Sequence, residues 1–244
     1  MRNAEQLIRE GQLDDAMLSL SAHLRDNPSD TRNRTTLFEL LCFAGEYERA
    51  AKQLAVIGEG NQDTQMAALL YRGALHAEGL RRGMFEGETY PGPLGESASQ
   101  SMGTVNGREF THLTDADPRI GPRLEVFGAG DYLWIPFRQI ESIEMQAPKR
   151  LRDLLWIPAR LTTAPGFTQR ELGEVLLPAL TPLTFQHPDG AVRMGQVTEW
   201  CTDEAGRERP CGQKMLLVDG EEIPILEVRH LRIQVDAMAQ SSQS

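Results

Sequence analysis

The stretch GEYERAAKQL, residues 45–54, repeats an earlier stretch of the chain, GQLDDAMLSL, residues 11–20. Three residues recur at a spacing of 34 positions: Gly11 and Gly45, Ala16 and Ala50, and Leu20 and Leu54. This period is typical of tetratricopeptide repeats, in which each unit is a pair of antiparallel helices. Glycine permits the tight turn of such a pair, alanine lets the helices approach closely, and leucine fills the groove between them. Residues 1–88 are therefore predicted to form a tetratricopeptide-like helical domain, with a plain helical bundle as the alternative.

The third period of this repeat is incomplete. Gly79 lies 34 residues after Gly45 and follows a helical pattern, TQMAALLYRGALHAEGL, but the next residues are rich in Gly and Pro. We therefore expect about two repeats and a terminal helix. The Gly-, Pro- and Ser-rich residues 89–103 are predicted to be a linker. Residues 104–238 are predicted to form an α+β domain, and residues 239–244 a flexible tail.

After the linker, apolar residues alternate with a period of two, which predicts β-strands. The segments WIPFRQIESIEM and EIPILEVRHLRI align at an offset of 88 positions, with Pro136 matched to Pro224. Five apolar pairs also match: Ile135 with Ile223, Phe137 with Ile225, Ile140 with Val228, Ile143 with Leu231, and Met145 with Ile233. Each segment follows a Gly-containing turn that is typical of a hairpin.

This alignment suggests two related β-modules, residues 104–146 and 190–235, in which one helical turn redirects the last strand. That pattern resembles small SH3-like barrels, although alternating apolar residues also align by chance. The expected fold class is α+β, with tetratricopeptide-like antiparallel helical repeats followed by a mostly-β, small barrel-like C-terminal domain.

The charge and composition of the chain argue against several classes of function. The formal net charge is -10, which argues against a general nucleic-acid or anionic-membrane surface. The first residues lack the apolar core of a signal peptide, and no stretch approaches the ~18–20 apolar residues of a membrane span. We expect a cytoplasmic protein. The cysteines form no CxxC pair that would indicate zinc, but Cys201 and Cys211 could face each other across a hairpin.

The strongest candidate for chemistry is Asp115 and Asp117 with Arg119. Two carboxylates at this spacing could bind a hard cation such as Mg²⁺ or do acid–base work. Alternatively, they cap a turn before Pro118 and pair with an arginine. Arg152 and Asp153 could form a structural ion pair in the same way. Because the sequence lacks a phosphate loop, a nucleophile motif and a cofactor fingerprint, we predict no enzyme activity, no cofactor and no resident metal.

Helical repeats of this type usually bind a peptide or helix in a concave groove. The polar candidates for partner binding on the first helix of each repeat are Arg32, Arg34, Glu39 and Arg72. A solvated helix face is the alternative for each of them. Trp134 and Trp156, each in a WIP tripeptide, are predicted to be core or interface residues first and ligand contacts second.

Five motifs in order along the chain resemble the ImpE/SciE family, also called TagJ: LFELLCFAGEYERAAKQL, DADPRIGPRLEV, YLWIPFRQIESI, LRDLLWIPARL and GEVLLPALTP. The family consists of accessory proteins associated with bacterial type VI secretion clusters. The resemblance covers nearly the whole chain, from about residue 4 to about residue 235. It implies a tetratricopeptide-like N-terminal part joined to an α+β C-terminal part.

The resemblance also implies a non-enzymatic adaptor that binds the small subunit of the contractile sheath and acts through it, indirectly, on the ClpV ATPase. No nucleic-acid or membrane partner is implied, and the family supplies no catalytic residues to carry over. One segment departs from the family pattern. Residues 176–188, LLPALTPLTFQHP, lack the Gly-Ser expected after the LLPAL element, so partner choice could differ if this loop contacts the partner.

Overall fold

Five helices form the N-terminal part of the described chain. The structure is a computed structural model that describes residues 4–95, 98–128, 130–165, 167, 172–202 and 206–234. The helices are α1 (Ala4–Arg9), α2 (Leu13–Asp26), α3 (Thr31–Phe43), α4 (Tyr47–Ile57) and α5 (Gln62–Glu86). The repeated Ala16, Ala50, Leu20 and Leu54 are all buried, as helix-packing residues must be. The pairs α1–α2 and α3–α4 follow the predicted period, and α5 is the terminal helix.

Glycine is required at the turn of each helical pair. Gly11 and Gly45 have φ angles of 74° and 71°, in the left-handed region that favours glycine. A Cβ on Gly11 would come within 2.8 Å of Ala191, which lies in the short helix α6 (Gly190–Arg193), and one on Gly45 within 2.5 Å of Phe185. The same turns therefore also serve as contact points for the C-terminal part.

The C-terminal part is built on an antiparallel sheet. Its strands are β1 (Gln100–Val105), β2 (Arg108–Asp115), β3 (Arg123–Gly128), β4 (Asp131–Pro136), β5 (Ile140–Met145), β6 (Trp156–Thr163), β7 (Gly173–Pro178), β10 (Met215–Val218), β11 (Glu221–Pro224) and β12 (His230–Ile233). A separate hairpin consists of β8 (Glu199–Thr202) and β9 (Glu208–Cys211). The order in the large sheet is β11-β10-β2-β1-β12-β5-β6-β7-β3-β4. β1 thus begins inside the segment predicted to be a linker.

The two aligned segments meet at the centre of the sheet. Ile143 in β5 pairs with Leu231 in β12, and these are the residues that the offset of 88 matches. Each strand follows a 3₁₀ turn, Phe137–Gln139 and Ile225–Glu227 respectively. Outward from the centre the order is β6, β7, β3, β4 on one side and β1, β2, β10, β11 on the other. Counted outward from the β5–β12 pair, each half therefore consists of one strand that follows a 3₁₀ turn and then two pairs of antiparallel strands.

The prediction of a small closed barrel is wrong. Among the described residues, β11 and β4 end the sheet and do not pair with each other. The physical reason lies in β5 and β12, which use their outer edges to pair with each other. The hydrogen-bond ladder consequently continues from one half into the other as a single ten-stranded sheet. One half also combines strands of both predicted β-modules, since β1 pairs with β12, and the other half includes β6 and β7, which lie outside both modules.

One face of β6, β7 and β3 packs against the helices, and the other face forms the core of the sheet. Along β3, Phe127 belongs to the apolar cluster of the helical part, whereas Leu124 and Val126 belong to that of the sheet. Trp156 and Leu176 likewise face the helices. β3 is buried along its whole length, because it is covered on both faces. The side chain of Glu125, two residues before Phe127, consequently points towards α5.

The hairpin β8–β9 carries Cys201 and Cys211 as free thiols. Cys201 pairs with Arg209, and Cys211 with Glu199. The two cysteines are therefore diagonal neighbours on one face of the hairpin and not directly opposite each other. Burial, together with a hydrogen bond to Cys201, raises the pKa of the Cys211 thiol to about 12.

Candidate functional site

A cleft of about 510 Å³ opens where the helices leave part of the sheet uncovered. One wall is Tyr71 on α5. The floor is the helix-facing side of β5, β6 and β7, with Glu144, Arg160 and Glu174. The rim is the loop between β5 and β6, which includes Lys149, Arg150, Arg152 and Asp153. The cleft therefore combines an aromatic wall with charged side chains of both signs.

Arg152 connects this cleft with the helical repeat. Its guanidinium lies 5.1 Å from the ring centroid of Tyr71, and its Nη1 lies 3.5 Å from Glu39 Oε1. Burial raises the pKa of Glu39 to about 7, since the charge of Arg152 only partly offsets it. The predicted partner-binding residue Glu39 and the predicted polar residue Arg152 are thus brought together.

Asp153 shapes the rim of the cleft. Its Oδ2 accepts hydrogen bonds from the backbone N–H groups of Lys149 and Arg150, at 2.8 and 2.9 Å. The carboxylate therefore folds the loop, and Asp153 does not form the predicted ion pair with Arg152, which pairs with Glu39 instead.

An exposed apolar stripe on α5 was missed by the sequence analysis. Met66, Leu69 and Leu70 are 65%, 63% and 52% exposed, and their spacing places them on one helix face. The 34-residue period matches them to Arg32, Thr35 and Thr36 on α3. Extending the period from Arg32 would have found this stripe, whereas a search for polar residues selected Arg72. We call these three residues the α5 stripe.

The other predicted partner-binding residues, Arg32, Arg34 and Arg72, do not form a common site with Glu39. Arg32 is exposed and its Nη2 lies 3.2 Å from Glu5 Oε1. Arg34 donates hydrogen bonds to Gln53 Oε1 at 2.7 Å and to the carbonyl oxygen of Pro28 at 2.5 Å. Its guanidinium is therefore engaged within the helical repeats. Arg72 is exposed and lies beside Gly58, near the end of α4.

The carboxylates of Asp115 and Asp117 are both buried and engaged. Lys214 Nζ lies 2.5 Å from Asp115 Oδ2, and Asp115 Oδ1 accepts the backbone N–H of Asp117 at 2.8 Å. Arg119 Nη2 lies 2.5 Å from Asp117 Oδ2. In the part of the chain that the structure describes, no group of three or more His, Cys, Asp or Glu side chains could hold a metal ion. The arrangement has the features of a capped, ion-paired turn.

A buried charge network joins α5 to the sheet, and the sequence analysis missed it. Arg81 on α5 donates two hydrogen bonds to Glu125 on β3, at 2.8 and 2.9 Å, and a third to the carbonyl oxygen of Leu180 at 2.8 Å. Lys214 Nζ lies 2.6 Å from Glu125 Oε2 and also contacts Asp115. No local sequence pattern joins these residues, which come from distant parts of the chain.

The pKa values within the network diverge for physical reasons. Burial alone would raise the pKa of Glu125, but Arg81 and Lys214 lower it to about 2. Burial raises the pKa of Asp115 to about 6, because Lys214 is shared with Glu125 and the charge of Glu125 opposes ionisation. Glu125 is therefore the central anion of the network.

Both WIP tryptophans lie at the contact between helices and sheet. Trp156 is fully buried, and its Nε1 donates a hydrogen bond to Glu78 Oε1 at 3.0 Å. Its ring lies 6.0 Å from that of Tyr71. Trp134 is half-buried, stacks on Tyr90 at 6.5 Å, and donates to the hydroxyl oxygen of Tyr132.

The loop that departs from the family pattern lies against the helices. Phe185 contacts the turn at Gly45 and lies 6.3 Å from the ring of Tyr47. The guanidinium of Arg82 lies 4.9 Å from its ring centroid. A small cavity of about 30 Å³ lies between this loop and the helices. The loop thus holds the two parts of the chain together.

Both parts of the chain match sequence models of known protein families. The sequence model of the ImpE protein family matches residues 107–232, and that of the tetratricopeptide repeat matches residues 7–72. The prediction of tetratricopeptide-like repeats is thereby confirmed. Within the described residues, no helix combines the length and apolar character that crossing a membrane requires.

Two similar proteins extend this finding to nearly the whole chain. The type VI secretion system accessory component TagJ of Pseudomonas aeruginosa is 35% identical over an alignment 260 positions long, which covers 93% of this chain and 90% of that protein. The crystal structure of protein VPA1032 from Vibrio parahaemolyticus superposes with a TM-score of 0.81 and 23% identity, covering 95% of this chain and 97% of that one. It shares the fold. The chain belongs to the ImpE family.

Proposed function

We propose that the protein is a non-enzymatic accessory protein of a bacterial type VI secretion system that binds an amphipathic helix of the small contractile-sheath subunit. Through this contact it assists sheath assembly or recycling, and acts indirectly on the ClpV ATPase, in the cytoplasm. The observation that carries the proposal is the α5 stripe of Met66, Leu69 and Leu70. The accessory role of the similar TagJ protein supports the secretion context.

The chemistry of the stripe favours a helical partner. Exposed apolar side chains that cluster on one face are typical of protein-binding sites. Positions 66, 69 and 70 follow the spacing by which one helix presents anchors to another. The second side of the proposed binding surface is polar and consists of the matched residues on α3, which are Arg32, Thr35 and Thr36. An amphipathic helix would place its apolar face on α5 and its polar face towards α3.

Only part of the repeat surface is open to a partner. The 3₁₀ turn Leu151–Leu154 contacts α3, and Trp156 packs on Tyr71 of α5. The C-terminal part thereby covers the later turns of both helices. The earlier turns, which carry Arg32 and Met66, are exposed. The open surface suits a short helix of about two to three turns, roughly 10 Å to 16 Å long.

The alternative of a metal-dependent enzyme at Asp115, Asp117 and Arg119 has less support. Lys214 engages the first carboxylate and Arg119 the second, and both aspartates are buried. A catalytic site needs a group that can reach substrate.

The proposal is tested by calorimetric titration of the intact protein with the small sheath subunit of its secretion cluster. The substitution Leu69→Asp should weaken binding about tenfold to a hundredfold, because burying one leucine is worth about 1.5–3 kcal/mol. The matched control is Leu18→Asp, since Leu18 on α2 is 69% exposed and lies outside the stripe. Absence of binding by the unaltered protein, or equal losses for both variants, would refute the proposal.

A further inference from the structure

The rim of the cleft concentrates positive charge in an acidic protein. Lys149, Arg150 and Arg152 fall within four consecutive positions of a chain whose net charge is -10. All three line the cleft that also contains Tyr71. Tyr71 lies on the same helix as the α5 stripe. Arg152 of the rim contacts Glu39, which by helical spacing shares a face of α3 with Thr35 and Thr36, the residues matched to Leu69 and Leu70. The basic rim therefore adjoins the two helices that carry the apolar stripe and its matched polar residues.

The three cations of this rim outnumber its one carboxylate, Asp153. Asp153 is the nearest carboxylate in sequence, but it is directed at the backbone N–H groups of Lys149 and Arg150. Within the described ranges, neither of these two side chains forms an ion pair, and both are exposed. Arg160 on the floor is already paired, with its Nε 3.1 Å from Glu174 Oε1.

Arg152 is the third cation of the rim and is only weakly neutralised. Its separation from Glu39 is 3.5 Å, longer than a close charge-assisted hydrogen bond. Since the pKa of Glu39 is raised to about 7 by burial, a substantial fraction of that carboxyl group is uncharged near neutral pH. The rim therefore presents two free cations and one that is partly compensated.

We infer that this rim receives carboxylate side chains of the bound helix, so that the partner is an amphipathic helix with an acidic end next to its apolar face. The inference rests on the proposed function for the apolar half of the contact. Charge complementarity favours peptide carboxylates over nucleic acid, because Glu144 and Glu174 on the floor of the cleft would repel a continuous run of phosphates. The rim would set the direction of the helix, and the α5 stripe would hold its apolar face.

The test uses the double variant Lys149→Glu/Arg150→Glu of the intact protein. Its matched control is Arg25→Glu/Lys52→Glu, which changes the net charge equally at exposed positions of α2 and α4. The probes are the intact small sheath subunit and two synthetic amphipathic helices with the same apolar face. One synthetic helix ends in three glutamates and the other in three glutamines. Circular dichroism checks that each variant retains the fold.

We expect the rim variant to bind the sheath subunit about tenfold more weakly and with less salt dependence, whereas the control changes by about twofold or less. The glutamate helix should bind the unaltered protein more tightly than the glutamine helix, and the rim variant should abolish that preference. If the sheath subunit binds but neither the rim variant nor the glutamates matter, the inference is wrong and the proposed function stands. If the sheath subunit does not bind while the glutamate preference persists, the proposed function is wrong and the inference stands.

Discussion

The two halves of helix α5 reverse the usual distribution of residue types. Its first half exposes Met66, Leu69 and Leu70, and its second half buries Glu78 and Arg81. The two halves differ in the elements that pack against them. One face of the first half is open to solvent, whereas the second half lies against β3 and β4. Burial along this helix is therefore decided by the sheet, and hydropathy alone would place both halves wrongly.

The buried charges fix the position of the helix more than they stabilise it. Removing charges from water costs free energy that ion pairing only partly returns. Glu125 nevertheless accepts two hydrogen bonds from Arg81, a fork that is satisfied in one geometry. An apolar contact would permit sliding. The network therefore holds α5 in one register over β3, which keeps the α5 stripe at a fixed position beside the cleft.

The largest effect is expected from breaking the network at its centre. Glu125→Gln leaves Arg81 and Lys214 buried without their shared anion, and should lower the free energy of unfolding by about 3–5 kcal/mol at pH 7. Because the folded pKa of Glu125 is about 2, below its ordinary value, the stabilisation is fully present above pH ~4.5 and is lost towards pH 2. Urea denaturation measures both quantities.

The control is Arg160→Ala, which removes an exposed ion pair on the same sheet and should cost less than about 1 kcal/mol. Equal losses in the two variants would show that the buried network has no special role.

A smaller loss is expected at Trp156. The substitution Trp156→Phe removes the hydrogen bond to Glu78 and leaves a buried carboxylate with one donor fewer, at a cost of about 1–3 kcal/mol. The matched control is Trp200→Phe, because Trp200 is 47% exposed. Thermal unfolding of the two variants should separate them clearly. Identical melting temperatures would mean that the Trp156–Glu78 contact does not stabilise the fold.

Glu39 should make stability depend on pH. Its pKa is raised from 4.5 to about 7, so the folded protein retains a proton that the unfolded chain releases. Stability from this residue is therefore present below pH ~4.5 and is lost as the pH rises to about 7. Relative to Glu39→Gln, the unaltered protein should lose on the order of 2 kcal/mol between pH 5 and pH 8. Parallel stability curves for the two proteins would contradict this expectation.

The smallest effect is expected at the α5 stripe itself. Leu69→Gln should change the free energy of unfolding by less than about 0.5 kcal/mol, since the side chain is already in water. Leu75→Gln, a buried position on the same helix, should cost several times more. A large loss for Leu69→Gln would mean that the stripe supports the fold and is not kept for a partner.

Local signals made the helical repeat and the two aligned segments predictable. The turn at Gly45 and the buried Ala50 and Leu54 depend on residues close together in sequence. The match of Ile143 with Leu231 was also visible in the sequence, because each residue lies within the same pattern of a turn followed by spaced apolar residues. Their pairing in the sheet could not be predicted, because an alignment shows that two segments are similar and does not show that they are neighbours.

The remaining features depend on contacts between distant residues. Arg81, Glu125 and Lys214 lie in three separate elements, so no spacing rule joins them. The same holds for Glu39 and Arg152. The selection of polar residues from the sequence included Arg34, whose hydrogen bonds lie within the repeats. It overlooked Leu69, because an exposed leucine is indistinguishable in sequence from a buried one.

The place of β12 has a consequence for how the chain is made. Among the described residues, this strand follows all others of the sheet in chain order, yet it lies in the middle of the sheet, between β1 and β5. While the polypeptide is being synthesised, both of these neighbours remain open edges until residues 230–233 leave the ribosome. Open edges invite pairing with other chains, and contacts between distant residues form slowly. A nascent chain of this protein therefore exposes two unpaired strand edges until β12 has emerged, and the two halves of the sheet join only after that.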